Sequence, residues 1–347
     1  MGTTHDNHYV PKQYLKRWVN KEQKVWTYRT LVSNSHVPLW RDYPVKAIAF
    51  QQDLYTVRAN GREDDSLEHW LDKNVEAPAK AVLDKVAHDR KLNQREWEIL
   101  LRYMAAQDLR TPGKIKSLLH IWRRDIPQQA HETLAECAEF LQNKPELVKA
   151  LPKHTVVRGQ QGLPMNVKTA INKPREALSV EVEIDMGKEL YMYALKRGLT
   201  HTYKILLDHH WVILHPYPGQ EWPTSDKPVI CMDYNSETSH NLESGWGKKH
   251  ANIIFPVDPW HLLIAEVGIK NTRRLQSMDY SAKYTTFFQD IICENAYRFI
   301  FAVNPLKYMN RRHKRIVDPK LYEQEKQEAE KWAAHENHFS ECTAWDN

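Results

Sequence analysis

Apolar residues recur at helical spacing through much of the first half of this chain. Tyr14, Leu15 and Trp18 share one face of a short predicted helix over residues 11–19, with Pro11 at its start. Leu67, Trp70, Leu71, Val75, Ala79, Val82, Leu83 and Val86 mark a longer helix. It opens on an Asp65/Glu68 capping pair and should be kinked at Pro78. A second pair, Asn93 with Glu96, opens a helix carrying Trp97, Leu100, Leu101 and Met104, which stops near Arg110-Thr111-Pro112-Gly113. Residues 114–151 read as helices broken at Pro127 and Pro145, and 152–166 as a loop. Residues 174–210 read as helix, with 180–184 open to a strand assignment.

The period then changes. Trp211–His215, Pro228–Met232, Asn252–Phe255 and His261–Ala265 are short apolar runs bounded by turn formers, the pattern of strands. Val25–Leu31 is a further strand candidate, Asn60-Gly61 a turn, and 235–250 a polar loop. Residues 281–303 return to helix, and 318–335 form a weakly amphipathic one. The expectation is an α+β fold, mainly helical, with a small antiparallel sheet near residues 211–266. Residues 1–317 would make one compact domain, helical over residues 1–210 and sheet-containing over residues 211–317. A peripheral helix and tail would occupy 318–347.

Composition narrows the chemistry. Only 11 glycines occur in 347 residues, which argues against nucleotide folds built on Gly-rich loops. The four cysteines, Cys137, Cys231, Cys293 and Cys342, fit no zinc spacing and read as free thiols in a reducing, cytoplasmic setting. No run is long and apolar enough to span a membrane. The net charge of +5 permits an anionic partner without demanding one. There is no phosphate-binding loop, no G-x-S-x-G elbow and no His-Glu-x-x-His helix.

Several short pieces remain. They are His8-Tyr9-Val10-Pro11, Asp53-Leu54-Tyr55, the helix around Glu76, Gln107 to Pro112, Thr224-Ser225-Asp226-Lys227-Pro228, and Ala296-Tyr297-Arg298. In this order they resemble a mostly bacterial domain family of unknown function, which supplies positions but no activity. Each position has two readings. His8 could act as a base or metal ligand, or cap the first helical turn. Asp226 could hold a metal or orient a base, or simply fix a turn. Gln107 and Arg110 lie three apart on one helix face; Arg110 suits a phosphate or carboxylate, or its own helix's terminal carbonyls. Glu76 stands just before the kink, as a functional carboxylate or a solvent-facing one. His209, His210 and His215 offer no complete metal-ligand spacing. Arg311, Arg312, Lys314 and Arg315 form the densest basic run, a nucleic-acid contact or a solvated connector.

The leading expectation is a hydrolase of nucleic acid or nucleotides, using Mg2+ or Mn2+, in a bacterial defence or toxin role. It requires His8, Glu76, Gln107, Arg110 and Asp226 to converge in one pocket. A non-enzymatic binding or sensor protein, acting with a partner protein or as a homo-oligomer, is the first alternative. An enzyme on a small polar metabolite is the second, and a closed rather than an open basic site would distinguish it.

Overall fold

A computed structural model of the protein describes residues 5–59, 62–144, 146–147, 154–158, 165–172, 177–184, 187–237 and 239–336. The turn expected at Asn60-Gly61, the break expected at Pro145, and Cys342 lie outside them. The chain forms two compact units. One comprises residues 1–56, 65–114 and 197–334, the other 57–64, 115–196 and 335–347.

The first unit holds two large sheets. One is five-stranded, in the order Trp211–Leu214, His261–Glu266, Asn252–Asp258, Ile230–Ser236, Ser239–Asn241, all antiparallel. Every residue of Asn252–Asp258 is buried, which is why the segment reads as a continuous apolar run. Pro256 is tolerated because pairing with Ile230–Met232 ends at Ile254, so no partner needs its missing N–H on that edge. Helix Ala282–Glu294 covers this sheet, burying Phe288, Ile291 and Ile292 against Leu214, Ile254 and Ile264. The second sheet is four-stranded, Thr224–Ser225, Phe299–Ala302, Lys24–Arg29, Trp40–Pro44, again antiparallel. It joins residues from both ends of the sequence.

The helices that frame the candidate site are α1 (Lys12–Leu15), α2 (Ser66–Leu71), α3 (Ala77–Val86) and α4 (Gln94–Leu109). A π-helical turn, Asp72–Glu76, joins α2 to α3. This is the irregularity expected near Pro78: proline has no N–H for the preceding turn, and the chain takes up the slack by widening there. The Asn93/Glu96 capping box forms, with both reciprocal hydrogen bonds present. The Asp65/Glu68 box does not; Asp65 makes no side-chain cap.

The expectation of one small sheet near 211–266 is overturned. Strands also occupy the N-terminal half, among them Asp6–His8 paired with Phe50–Gln52. In the second unit, His154–Arg158, Met165–Asn172 and Ala177–Ile184 form an antiparallel sheet; a loop was expected over 152–166, and a helix from 174 with 180–184 open to the strand that forms there. Alternating residues such as Val180, Val182 and Ile184 carry a period of two that the neighbouring helical pattern obscured. Helix α5, Pro112–Gln142, runs through Pro127 without a break. The helix expected over 281–303 ends at Glu294, and Phe299–Ala302 is a strand.

Candidate functional site

Strand Asp6–His8 alternates its side chains between two faces. Asn7 points inward, fully buried, and its Oδ1 accepts the Tyr55 N–H at 3.1 Å. His8 points the other way, where its ring packs on that of Phe50, with centroids 5.6 Å apart. Burial, then the nearby Lys12 charge, lowers its pKa and so favours the neutral ring. It does not cap α1, which has no side-chain cap.

Helix α4 supplies the centre of the site. Tyr103, Gln107 and Arg110 recur at intervals of four and three and share a face. Exposure is 0% for Tyr103 and Gln107 and 1% for Arg110. Arg110 is the C-cap residue of α4, yet its side chain does not turn back to the helix's own carbonyls. Its Nη1 donates to Glu76 Oε1 at 2.6 Å, and its carbonyl accepts the Tyr55 hydroxyl. Burial works against the guanidinium charge, but Glu76 and the surrounding tyrosines more than offset it, and the pKa moves up. Glu76 arrives at the last position of the π turn and keeps 22% of its side chain exposed, giving the cluster an edge on solvent.

Arg110 and Gln107 both have hydrogen-bonding capacity that the described residues leave unused. Arg110 Nε and Nη2 have no partner, and neither has either atom of the Gln107 amide. Each such atom costs about 1–3 kcal/mol when buried, more where it carries charge. Four of them amount to a sizeable fraction of a typical domain stability of about 5–15 kcal/mol. A guanidinium offering Nε and Nη2 side by side is the fork that takes a carboxylate or phosphate in two parallel bonds.

Glu68 completes the set from α2. Its Oε1 is shielded and unpaired. Burial, opposed by Arg110 and reinforced by Glu76, raises its pKa to about 7. A carboxylic acid poised there can give or take a proton near neutrality. Nothing in the sequence marked it beyond the capping pattern it fails to form.

Asp226 is elsewhere and fully occupied. It is 2% exposed, and its two oxygens accept the N–H groups of Tyr297 at 2.9 Å and Arg298 at 2.7 Å. Burial raises its pKa to about 7 against the pull of those bonds. The Thr-Ser-Asp-Lys-Pro segment thus ties the turn after helix Ala282–Glu294 into the four-stranded sheet. Of the five expected residues, Glu76 and Arg110 are in contact and Gln107 shares a face of α4 with Arg110. His8 and Asp226 hydrogen-bond to none of them.

The basic run is partly engaged. Arg312 pairs with Asp290, and Arg315 Nη1 donates to the Pro38 carbonyl at 3.1 Å. Arg311 and Lys314 are exposed. Pro38 also lines a pocket of about 210 Å3 with Thr27, Arg29, Val37, Arg41 and Tyr43. Around it the guanidinium of Arg29 lies 5.8 Å from the Tyr43 and Phe299 ring centroids, and that of Arg41 5.2 Å from Tyr43.

Among the described residues no helix is long and apolar enough to cross a membrane. Residues 6–305 match a family described as a protein of unknown function (DUF4238). No curated protein matches the chain. No solved structure matches it either.

Proposed function

The chain belongs to the DUF4238 family, and from the chemistry of its buried guanidinium we propose that it is a hydrolase of a small anionic metabolite, nucleotides included. The observation that carries this is the pair of unpaired Arg110 nitrogens beside the unpaired Gln107 amide, both out of solvent. A phosphate or carboxylate on the Arg110 fork would satisfy two donors. An amide-like edge on Gln107 would satisfy a donor and an acceptor. Glu68, whose pKa is raised to about 7, would supply the proton to a leaving oxygen. The enclosed setting favours a small molecule over a polymer.

The test is a panel of nucleotides, sugar phosphates and dicarboxylates, read by product release and by thermal shift, on wild type, Arg110→Lys and Gln107→Met. Lys keeps the charge and loses the fork. The expected result is turnover of one class of small anion, reduced at least tenfold in both variants. Cleavage of single-stranded nucleic acid, with no response to any small anion, would overturn it.

A second reading, that the chain binds nucleic acid, has its support at the Arg29, Arg41 and Tyr43 pocket. Guanidinium groups over aromatic rings, with Arg315 adjoining, are suited to stacked bases and phosphates. Salt-dependent binding of a labelled oligonucleotide, weakened by Arg41→Ala, would favour it.

A further inference from the structure

Three side chains distant in sequence meet at the end of the five-stranded sheet. In the pairing of Trp211–Leu214 with His261–Glu266, Leu214 faces Leu262. One step further along that register, His215 stands opposite His261. The rings are edge to face, with centroids 5.2 Å apart. Asp89, in a left-handed conformation (φ 53°) just past α3, reaches both. Its Oδ1 lies 2.9 Å from His215 Nε2 and 3.4 Å from His261 Nε2. One ligand atom from each residue falls within 4.8 Å of the others.

The far nitrogen of each ring is held by a further carboxylate. His261 Nδ1 lies 2.8 Å from Asp258 Oδ1, and that oxygen also accepts the N–H groups of Trp260 and His261. His215 Nδ1 lies 3.1 Å from Asp279 Oδ1, which also accepts the His215 N–H at 2.6 Å. Donation from Nδ1 to a carboxylate fixes the ring and directs the Nε2 lone pair at the common centre. This is the outer-shell arrangement that metal-ligating histidines use. Arg17, ion-paired with Asp84, stands 3.9 Å from Asp258 Oδ2 and braces that carboxylate from behind.

We propose that Asp89, His215 and His261 form a binding site for a divalent first-row transition-metal ion of the Zn2+ class. Bond lengths of about 2.0–2.1 Å in a tetrahedral site set neighbouring ligand atoms about 3.3 Å apart. The two distances from Asp89 bracket that value. Two imidazoles and one carboxylate are a borderline donor set, better matched to Zn2+ than to Mg2+ or Mn2+, the oxygen-preferring ions expected from the sequence. Three protein ligands leave a coordination position open for water or an incoming group, as catalytic rather than structural sites do. Asp89 is 66% exposed on its side chain and His261 5%, so the site has one buried wall and one open side. The proposal is independent of the reading at Arg110.

Calorimetric titration of the metal-stripped full chain with Zn2+, against a competing chelator, tests it. One equivalent is expected to bind and raise the melting temperature. The expected loss of affinity is at least tenfold in Asp89→Ala and in His215→Ala. Asp89 is exposed, so its variant should keep the wild-type fold, checked by circular dichroism. Bound Co2+ should give visible absorption bands that Asp89→Ala abolishes. Absence of stoichiometric Zn2+ uptake, wild-type affinity in both variants, or Mg2+ binding more tightly than Zn2+ would each overturn the proposal.

Discussion

Gln107 gains nothing from its polarity within the described structure, since both ends of its amide are buried without a partner. Replacing it with the similarly sized Met should therefore stabilise the protein by about 1–3 kcal/mol. The same change should weaken the turnover of a small anion at least tenfold. Denaturant midpoints for wild type and Gln107→Met decide the first half, and a destabilised variant would show that the amide is structural. Glu68 has a pH signature. Its folded-state pKa of about 7 lies above the ordinary 4.5, so the folded chain holds a proton that the unfolded chain releases between those values. Its contribution to stability is complete below that window and is lost as pH rises through about 7. Glu68→Gln should flatten this fall, and unfolding curves from pH 4 to 8 would reveal it. Asp226 contributes a slope of the same sign, which the Glu68 variant retains. Legibility at this scale followed locality. Gln107 and Arg110 could be read together because they lie three apart on one helix. Glu76 could be read because Pro78 follows it. Asn7 was passed over for its neighbour His8, since a histidine looks more reactive, and only strand pairing decides which of the two faces inward.

Among the elements, the turn held by Asp226 shows how a motif can be informative without being chemical. Removing the carboxylate in Asp226→Ala leaves the Tyr297 and Arg298 N–H groups without their acceptors. The expected cost is about 2–4 kcal/mol. Equilibrium unfolding would measure it, and a loss under about 1 kcal/mol would contradict the assigned role. The same turn explains the strand missed at Phe299–Ala302. Ile291, Ile292, Tyr297 and Ile300 keep a spacing that a longer helix would also show. The sequence carries no glycine or proline between Glu294 and Phe299 to end it. What ends it is tertiary: Asn295 donates its side-chain amide to the Lys227 and Val229 carbonyls, and Asp226 collects the next free N–H groups. The capping box at Asn93 was legible because both its partners lie within four residues. The equivalent pattern at Asp65 does not form: Glu68 is held in a buried setting whose charges, Arg110 and Glu76, come from outside the local sequence.

For the molecule as a whole, the central sheets were only half visible from sequence. The strands of the five-stranded sheet lie close together in the chain, and apolar runs announced four of them; Ser239–Asn241 falls where a polar loop was expected. The four-stranded sheet is assembled from residues near 25, 40, 225 and 300, and no local pattern states that these belong together. The late segment extends the same closure. Ile316–Val317 runs parallel to Leu31–Val32, Glu325 pairs with Arg298, and Trp332 donates to the Leu54 carbonyl. This has a consequence for biosynthesis. The strand Lys24–Arg29 leaves the ribosome about 270 residues before its partner Phe299–Ala302, which at about 5–20 residues per second is a wait of tens of seconds. Through that interval an unpaired, partly apolar strand edge is open to other chains. Closing so long a loop also carries an entropic cost that slows the final step. Yield of native protein should therefore depend on translation speed and chaperone supply more than on the stability of the finished fold.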